Sequence, residues 1–215
     1  MKVKLIAVSL LLGFIVSACG FWGIRGNGKL KQETRNIQEF QNLDAGGAFT
    51  IRVHIGSAPS LKISAEENLL YFIRTYVKGN TLHIDTKKNI SPRKEILIDV
   101  TTPDLRSVDV SGANNISVSG VNTDNFSIDL SGAGHVYVDG ATDKFDAELS
   151  GAGSLDAKDL KANVVRVSVS GAASADVFAK ESLDASVSGV GSIDYYGDPQ
   201  KTRTNVSGVG SISRK

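Results

Sequence analysis

A five-residue motif built on Ser-Gly recurs six times in the second half of this 215-residue chain. The copies are Asp109-Val-Ser-Gly-Ala113, Asp129-Leu-Ser-Gly-Ala133, Glu148-Leu-Ser-Gly-Ala152, Ser168-Val-Ser-Gly-Ala172, Ser186-Val-Ser-Gly-Val190 and Asn205-Val-Ser-Gly-Val209. Their glycines, Gly112, Gly132, Gly151, Gly171, Gly189 and Gly208, are separated by 20, 19, 20, 18 and 19 residues. So regular a period marks a repeat architecture, in which one unit cannot bury its apolar face alone and stacks on its neighbours.

Every unit has the same grammar. Phe126-Ser-Ile-Asp-Leu130 alternates before one turn, and His135-Val-Tyr-Val-Asp139 alternates after it. Period-two alternation predicts strands with one buried face. The Ser-Gly-Ala-Gly link has turn chemistry, with glycine supplying positive φ. A looser polar stretch such as 121–125 then leads to the next unit. Two strands per unit fit either a meander of hairpins or one coil of a parallel β-helix. The coil is favoured because equivalent residues then stack about 4.8 Å apart and form columns. One column is Val110, Leu130, Leu149, Val169, Val187 and Val206; the other is Ile116, Val136, Leu155, Ala175, Ile193 and Ile212. All are apolar and form the predicted core, extended by Val118, Val138, Ala157, Val177 and Tyr195. No helical crossover fits between units, which excludes a βαβ fold. The expected fold is all-β, a parallel β-helix of about six 19–20-residue coils.

The N-terminal half is less regular. Residues 43–55 look like a worn copy of the repeat, and 61–65 is a short strand. Residues 66–72 could form one helical turn, and Lys78-Gly79-Asn80 sits between 75–77 and 82–85 as a hairpin turn. Residues 95–101 alternate until Pro103 breaks the pattern. This half is expected to be an irregular β cap, since solenoid ends need covers for their edge strands. The expected organisation is a signal segment at 1–18, a flexible tether at 19–34 and one domain at 35–215, with the cap at 35–105 and regular repeats at 106–215.

The first eighteen residues read as an address. Lys2 and Lys4 precede the apolar run 5–16, and Val16-Ser17-Ala18-Cys19 closes it. Charged, apolar, then small is the order of a secretory signal. Twelve residues span about 18 Å as a helix, against a bilayer core of roughly 30 Å, so a permanent span is not expected. Cys19 is the only cysteine. It is either an incidental thiol beside an ordinary cleavage site or, as taken here, the acylated residue of a sequence that resembles the bacterial lipobox. Several acyl chains on one residue give stable anchoring. Gly20 is not the aspartate that would direct inner-membrane retention, so the expected location is the cell envelope as an outer-membrane lipoprotein, facing either side.

A lone cysteine excludes an internal disulfide framework and a cysteine-rich zinc site. Lys and Arg number 24 against 23 Asp and Glu, and beyond the signal the two nearly cancel. That balance offers nothing to nucleic acid or anionic lipid.

Thr34-Arg-Asn-Ile-Gln-Glu-Phe40, Glu66-Glu-Asn-Leu-Leu70, Gly79-Asn-Thr-Leu-His-Ile84, the Ser-Gly-Ala repeats and the endings 195–199 and 206–211 form a recognisable set. Together they resemble the putative auto-transporter adhesin, head GIN domain family of bacterial envelope proteins, over roughly residues 35–215. The resemblance implies a mostly β, solenoid-like fold and an envelope lipoprotein setting. It implies no activity and no catalytic residues.

The chemistry-bearing residues are sparse. His54, His83 and His135 fall in separate β segments without ligand spacing, and are read as isolated surface histidines. Ser111, Ser131, Ser150, Ser170, Ser188 and Ser207 share one repeat position. Interchangeable serines argue for turn hydrogen bonds, not for a nucleophile with its base. Asp156, Asp176 and Asp194 share another position and would form a row with a spacing of about 5 Å. The row is a weak candidate for calcium, against the plainer reading of a solvated outward face. Arg166 and Lys158 are the nearest basic groups for a lyase mechanism, and neither sits in a recognisable motif. The expected function is that of a non-catalytic, lipid-anchored envelope protein that binds a polysaccharide or a protein, with no cofactor. The alternative is a β-helix polysaccharide lyase or hydrolase acting through the Asp156, Asp176, Asp194 face.

Overall fold

The computed structural model describes residues 23–215. The signal segment 1–18 and Cys19 lie outside the described residues. In chain order the strands are β1 (Ile24–Arg25), β2 (Leu30–Arg35), β3 (Asn42–Ala45), β4 (Thr50–Ile55), β5 (Ser60–Glu66), β6 (Ile73–Lys78), β7 (Thr81–Thr86), β8 (Ile90–Ser91) and β9 (Leu97–Thr102). The repeats supply β10 (Ser107–Val110), β11 (Asn115–Leu130), β12 (His135–Leu149), β13 (Ser154–Val169), β14 (Ser174–Val187), β15 (Ser192–Tyr196), β16 (Lys201–Val206) and β17 (Ser211–Arg214). A single 3₁₀ turn, Leu70–Phe72, stands where the sequence allowed a helical turn.

The repeats form a parallel β-solenoid. Val110, Leu130, Leu149, Val169, Val187 and Val206 are successive register partners, as are Ile116, Val136, Leu155, Ala175, Ile193 and Ile212. Further columns run through Phe126, Phe145, Val165 and Leu183, and through Ile128, Ala147, Val167 and Ala185, all buried. Phe126 and Phe145 stack with centroids 6.1 Å apart. The segment read as a loose return is extended and paired: Val121, Asn122 and Thr123 lie in register with Gly140, Ala141 and Thr142. A register shift between Val118 and Val121 turns this corner inside β11.

The motif glycines have a different reason from the one expected. Gly112 has φ +79°, but the other five are not among the positive-φ residues. A Cβ on Gly132, Gly151, Gly171, Gly189 or Gly208 would lie closer than 3.0 Å to the carbonyl oxygen of the motif glycine one coil below. Real Cβ atoms do not come that near, so glycine is required by the stacking of turn on turn. Gly112 meets Gly47 in the same way, which shows that the worn copy at 43–55 is a true coil beneath the repeats.

The N-terminal half departs from the expected cap in two respects. First, β3 and β4 continue the parallel stack on β10 and β11, and β7 and β9 lie on their far side, also in parallel register. Coil order in space therefore differs from chain order: 81–102 lies outside 42–55, and the chain returns across it to start the repeats. Buried Asn114 ties the two parts together, donating to the carbonyls of Ser111 and Ala45 and accepting the Phe49 N–H at 2.9 Å. Second, the expected 19–34 tether contains structure from Gly23 onward. β1 pairs with β8, and β2 runs antiparallel to β5. Main-chain pairing holds this segment despite its glycines and exposed side chains. The true cover is antiparallel: β6 caps β7, and β5 and β2 cap β9.

Candidate functional site

The expected acidic row exists. Asp156, Asp176 and Asp194 are register partners on the face after each turn. Two are engaged by lysine: Asp156 Oδ2 by Lys158 Nζ at 2.5 Å, and Asp194 Oδ2 by Lys215 Nζ at 3.2 Å. Asp176 lies between them, and partial burial, followed by the charges of Asp156 and Asp194, pushes its carboxyl above the usual carboxylate range. Among the described residues, no group of three or more His, Cys, Asp or Glu is arranged to hold a metal ion. Arg166 belongs to the other face, where its Nη1 lies 3.9 Å from Asp146 Oδ1. Of the two expected basic partners, Lys158 thus stands at the row, on Asp156 beside Asp176, whereas Arg166 does not.

A second acidic row was not singled out in the sequence. Asp44, Asp109, Asp129 and Glu148 are successive register partners on the face before each turn. Partial burial and then the neighbouring Asp129 and Asp44 raise the Asp109 carboxyl. The signal was present in the first letter of the repeat motif, which reads Asp, Asp, Glu and then Ser, Ser, Asn. His83 ends this row: its Nδ1 lies 2.9 Å from Asp44 Oδ2, and its ring stacks on Tyr76 at 4.9 Å. His135 is exposed, with its Nδ1 2.8 Å from Ser154 Oγ, and no histidine joins a group of three or more possible metal ligands among the described residues.

The family-motif residues of the N-terminal half are structural. Glu66 is fully buried, and its carboxylate accepts backbone N–H groups of Gly28 (2.5 Å), Arg93 (2.7 Å) and Lys94 (3.3 Å). Burial alone would raise this carboxyl, but the three amides and the charge of Arg93 outweigh it and hold it below the ordinary value. Asn68 donates to the Arg25 carbonyl and accepts from the Asn27 N–H. Glu66 and Asn68 thus clasp the 25–28 strand link onto the cap. Arg35 reaches from β2 to β6, donating to the carbonyls of Ile73 (2.8 Å) and Leu70 (3.0 Å) and to Thr75 Oγ1 (3.0 Å).

Beside Arg35 lies an open groove of about 640 Å³ between β2, the 3₁₀ turn and β6. Its walls include Lys31, Arg35, Arg74, Lys87, Tyr71 and Tyr76. Tyr71 is 71% exposed and Tyr76 41% exposed. Large apolar rings left in solvent on an otherwise well-filled protein mark contact surfaces. Neither ring was singled out from sequence, because 71–76 carries no repeat and the groove is made by tertiary pairing.

A family model described as "Putative auto-transporter adhesin, head GIN domain" matches residues 39–199. Among solved structures, a putative adhesin from Bacteroides fragilis is 28% identical, with a TM-score of 0.78 over 90% of this chain and 100% of its own. A putative lipid binding protein from Parabacteroides distasonis is 21% identical, with a TM-score of 0.53 over 89% and 99% of the two chains. A putative adhesin from the same species is 17% identical, with a TM-score of 0.56 over 90% and 100%. The last two share the fold. No curated protein matches the chain.

Proposed function

The chain belongs to the putative auto-transporter adhesin, head GIN domain family, and from that premise we propose that it is a lipid-anchored, non-catalytic envelope protein whose solenoid presents a binding surface to a polysaccharide or a protein. The observation that carries this reading is the cap groove, where two tyrosines and several cations stand exposed on a rigid β scaffold. Sites on rigid elements bind with little ordering cost. The lipobox-like sequence at Cys19 supplies the anchor in this reading. A glycan-array and pull-down screen with residues 20–215 tests the binding role, and capture of neither a glycan nor a protein contradicts it. Cys19→Ser tests the anchor: the variant should leave the detergent phase, and unchanged partitioning contradicts acylation.

The catalytic alternative has one observation in its favour, the raised carboxyl of Asp176. Turnover of acidic or neutral glycans, lost in a folded Asp176→Asn variant, would establish it in place of the binding role.

A further inference from the structure

Charge divides this molecule by region. Residues 23–103 carry twelve Lys and Arg against eight Asp and Glu, a surplus of four positive charges. Residues 104–215 carry ten against fifteen, a surplus of five negative charges. The near-neutral total therefore conceals a positive N-terminal half joined to negative repeats, and the groove opens on the positive part.

Within the groove, most cations are engaged. Arg35 Nε lies 2.6 Å from Glu33 Oε1, Lys31 Nζ lies 3.6 Å from Glu67 Oε1, and Arg74 makes a two-point pair with Asp85. Lys87 has no carboxylate partner among the described residues; its Nζ sits 4.0 Å from the centre of the Tyr71 ring. A ring and an uncommitted ammonium are thus held together at the mouth of the groove. Tyr76 is on the same wall, backed by His83 and by Arg74, whose guanidinium lies 5.9 Å from the ring centre.

We infer that this groove is a binding site for acidic glycan chains carrying ring carboxylates. The inference rests on the proposed binding role and gives it a place and a ligand class. A sugar ring offers a C–H face that stacks on an exposed tyrosine, and a uronate carboxylate matches the free ammonium of Lys87. A groove open along its length takes an internal stretch of polymer, where a closed pocket would take only an end. The negative repeats, with the Asp109, Asp129, Glu148 row, repel the same polymer and confine it to the cap.

The test is affinity electrophoresis of the full-length chain in detergent at about 0.05 M salt, where screening is weak. The gels carry polygalacturonate, alginate or hyaluronan, with fully methyl-esterified polygalacturonate as the uncharged control. At least one acidic polymer should retard the chain, and esterification should weaken retention of polygalacturonate if that is the polymer bound. Tyr71→Ala and Lys87→Gln should each lower affinity about fivefold or more, with unchanged thermal midpoints. Phe178→Ala, on the solenoid, should leave binding as it was. Retention that ignores both cap substitutions would overturn the groove while leaving the binding role intact. Equal retention by the esterified polymer would overturn recognition of the carboxylate. No retention by any of the three acidic polymers would overturn the inference outright, and the array and pull-down screen then judges the wider role on its own.

Discussion

At one end of the solenoid, the outermost parallel strands β7 and β9 are covered by antiparallel β6 and β5, with β2 laid on β5. At the other end, β16 and β17 have no further strand on them among the described residues, and every residue of β16 is exposed. The core columns register this difference. Leu183 and Ala185 are buried, but their partners in the last coil are Thr202 and Thr204. Val206 ends a column of buried aliphatics and is itself 44% exposed. A covered end keeps its apolar columns to the last level, whereas an open end replaces them with hydroxyls that tolerate water. Because each coil touches only its neighbours, the same substitution should have very different effects at the middle and at the open end.

The sharpest test of that contrast is a buried charge. Val169 is fully buried between Leu149 and Val187, so Val169→Asp should cost about 4 kcal/mol or more, read by denaturant unfolding. Val206→Asp should cost about 1 kcal/mol or less. Comparable losses at the two sites would mean that the last coil is as enclosed as the middle.

The glycine ladder gives the next largest effect. Gly151 lies against Gly132 below and Gly171 above, so an added methyl has nowhere to go. Gly151→Ala should lose about 2–4 kcal/mol, and Gly208→Ala less than about 1 kcal/mol, because the last turn can lift away from Gly189. If the motif glycines served only for positive φ, these backbones would accept alanine at both positions.

A smaller effect separates the cap from the repeats by pH. Glu66 in the covered end has a lowered carboxyl, so the stabilisation it gives is present above the unfolded value and is lost as pH falls through the folded one. Asp109 and Asp176 have raised carboxyls. Between the ordinary carboxylate range and the raised value, the folded chain holds protons that the unfolded chain has released. Their contribution therefore weakens the fold as pH rises through that interval and stays unfavourable above it. Asp109→Asn and Asp176→Asn should each add about 0.5 kcal/mol or less at neutral pH, fading in acid. Glu66→Gln should do the opposite, lowering cap stability at neutral pH and losing its effect in acid. Hydrogen exchange at residues 24–35 against 107–110 and 174–187 would read the cap and the repeats separately.

The repeats were legible because stacking writes itself into the sequence as identical residues at a fixed spacing. Val110 to Val206 and Ile116 to Ile212 are columns in the sequence before they are columns in space. The hairpin at Gly79-Asn80 was legible too, since Gly79 has φ +61° as such a turn requires. The order of coils was hidden, because β7 and β9 join the stack at its far side and nothing local records that. Antiparallel β2 was hidden for the same reason: its pairing with β5 is long-range, and its composition resembles a linker. Glu66 stood inside a recognisable motif, but its three amide partners come from two distant segments. The Tyr71–Lys87 contact likewise joins two segments that only the cap brings together.

Stacking itself is tested most directly by disulfide formation in a Cys19→Ser background. Ser150 and Ser170 follow the register partners Leu149 and Val169, which puts them one coil rise of about 4.8 Å apart, within disulfide range. Ser188 follows Val187, one coil further on, and lies about 10 Å from Ser150. The parallel solenoid predicts rapid oxidation of the Ser150→Cys, Ser170→Cys pair and none of the Ser150→Cys, Ser188→Cys pair. Efficient linking of 150 to 188 without linking of 150 to 170 would contradict it.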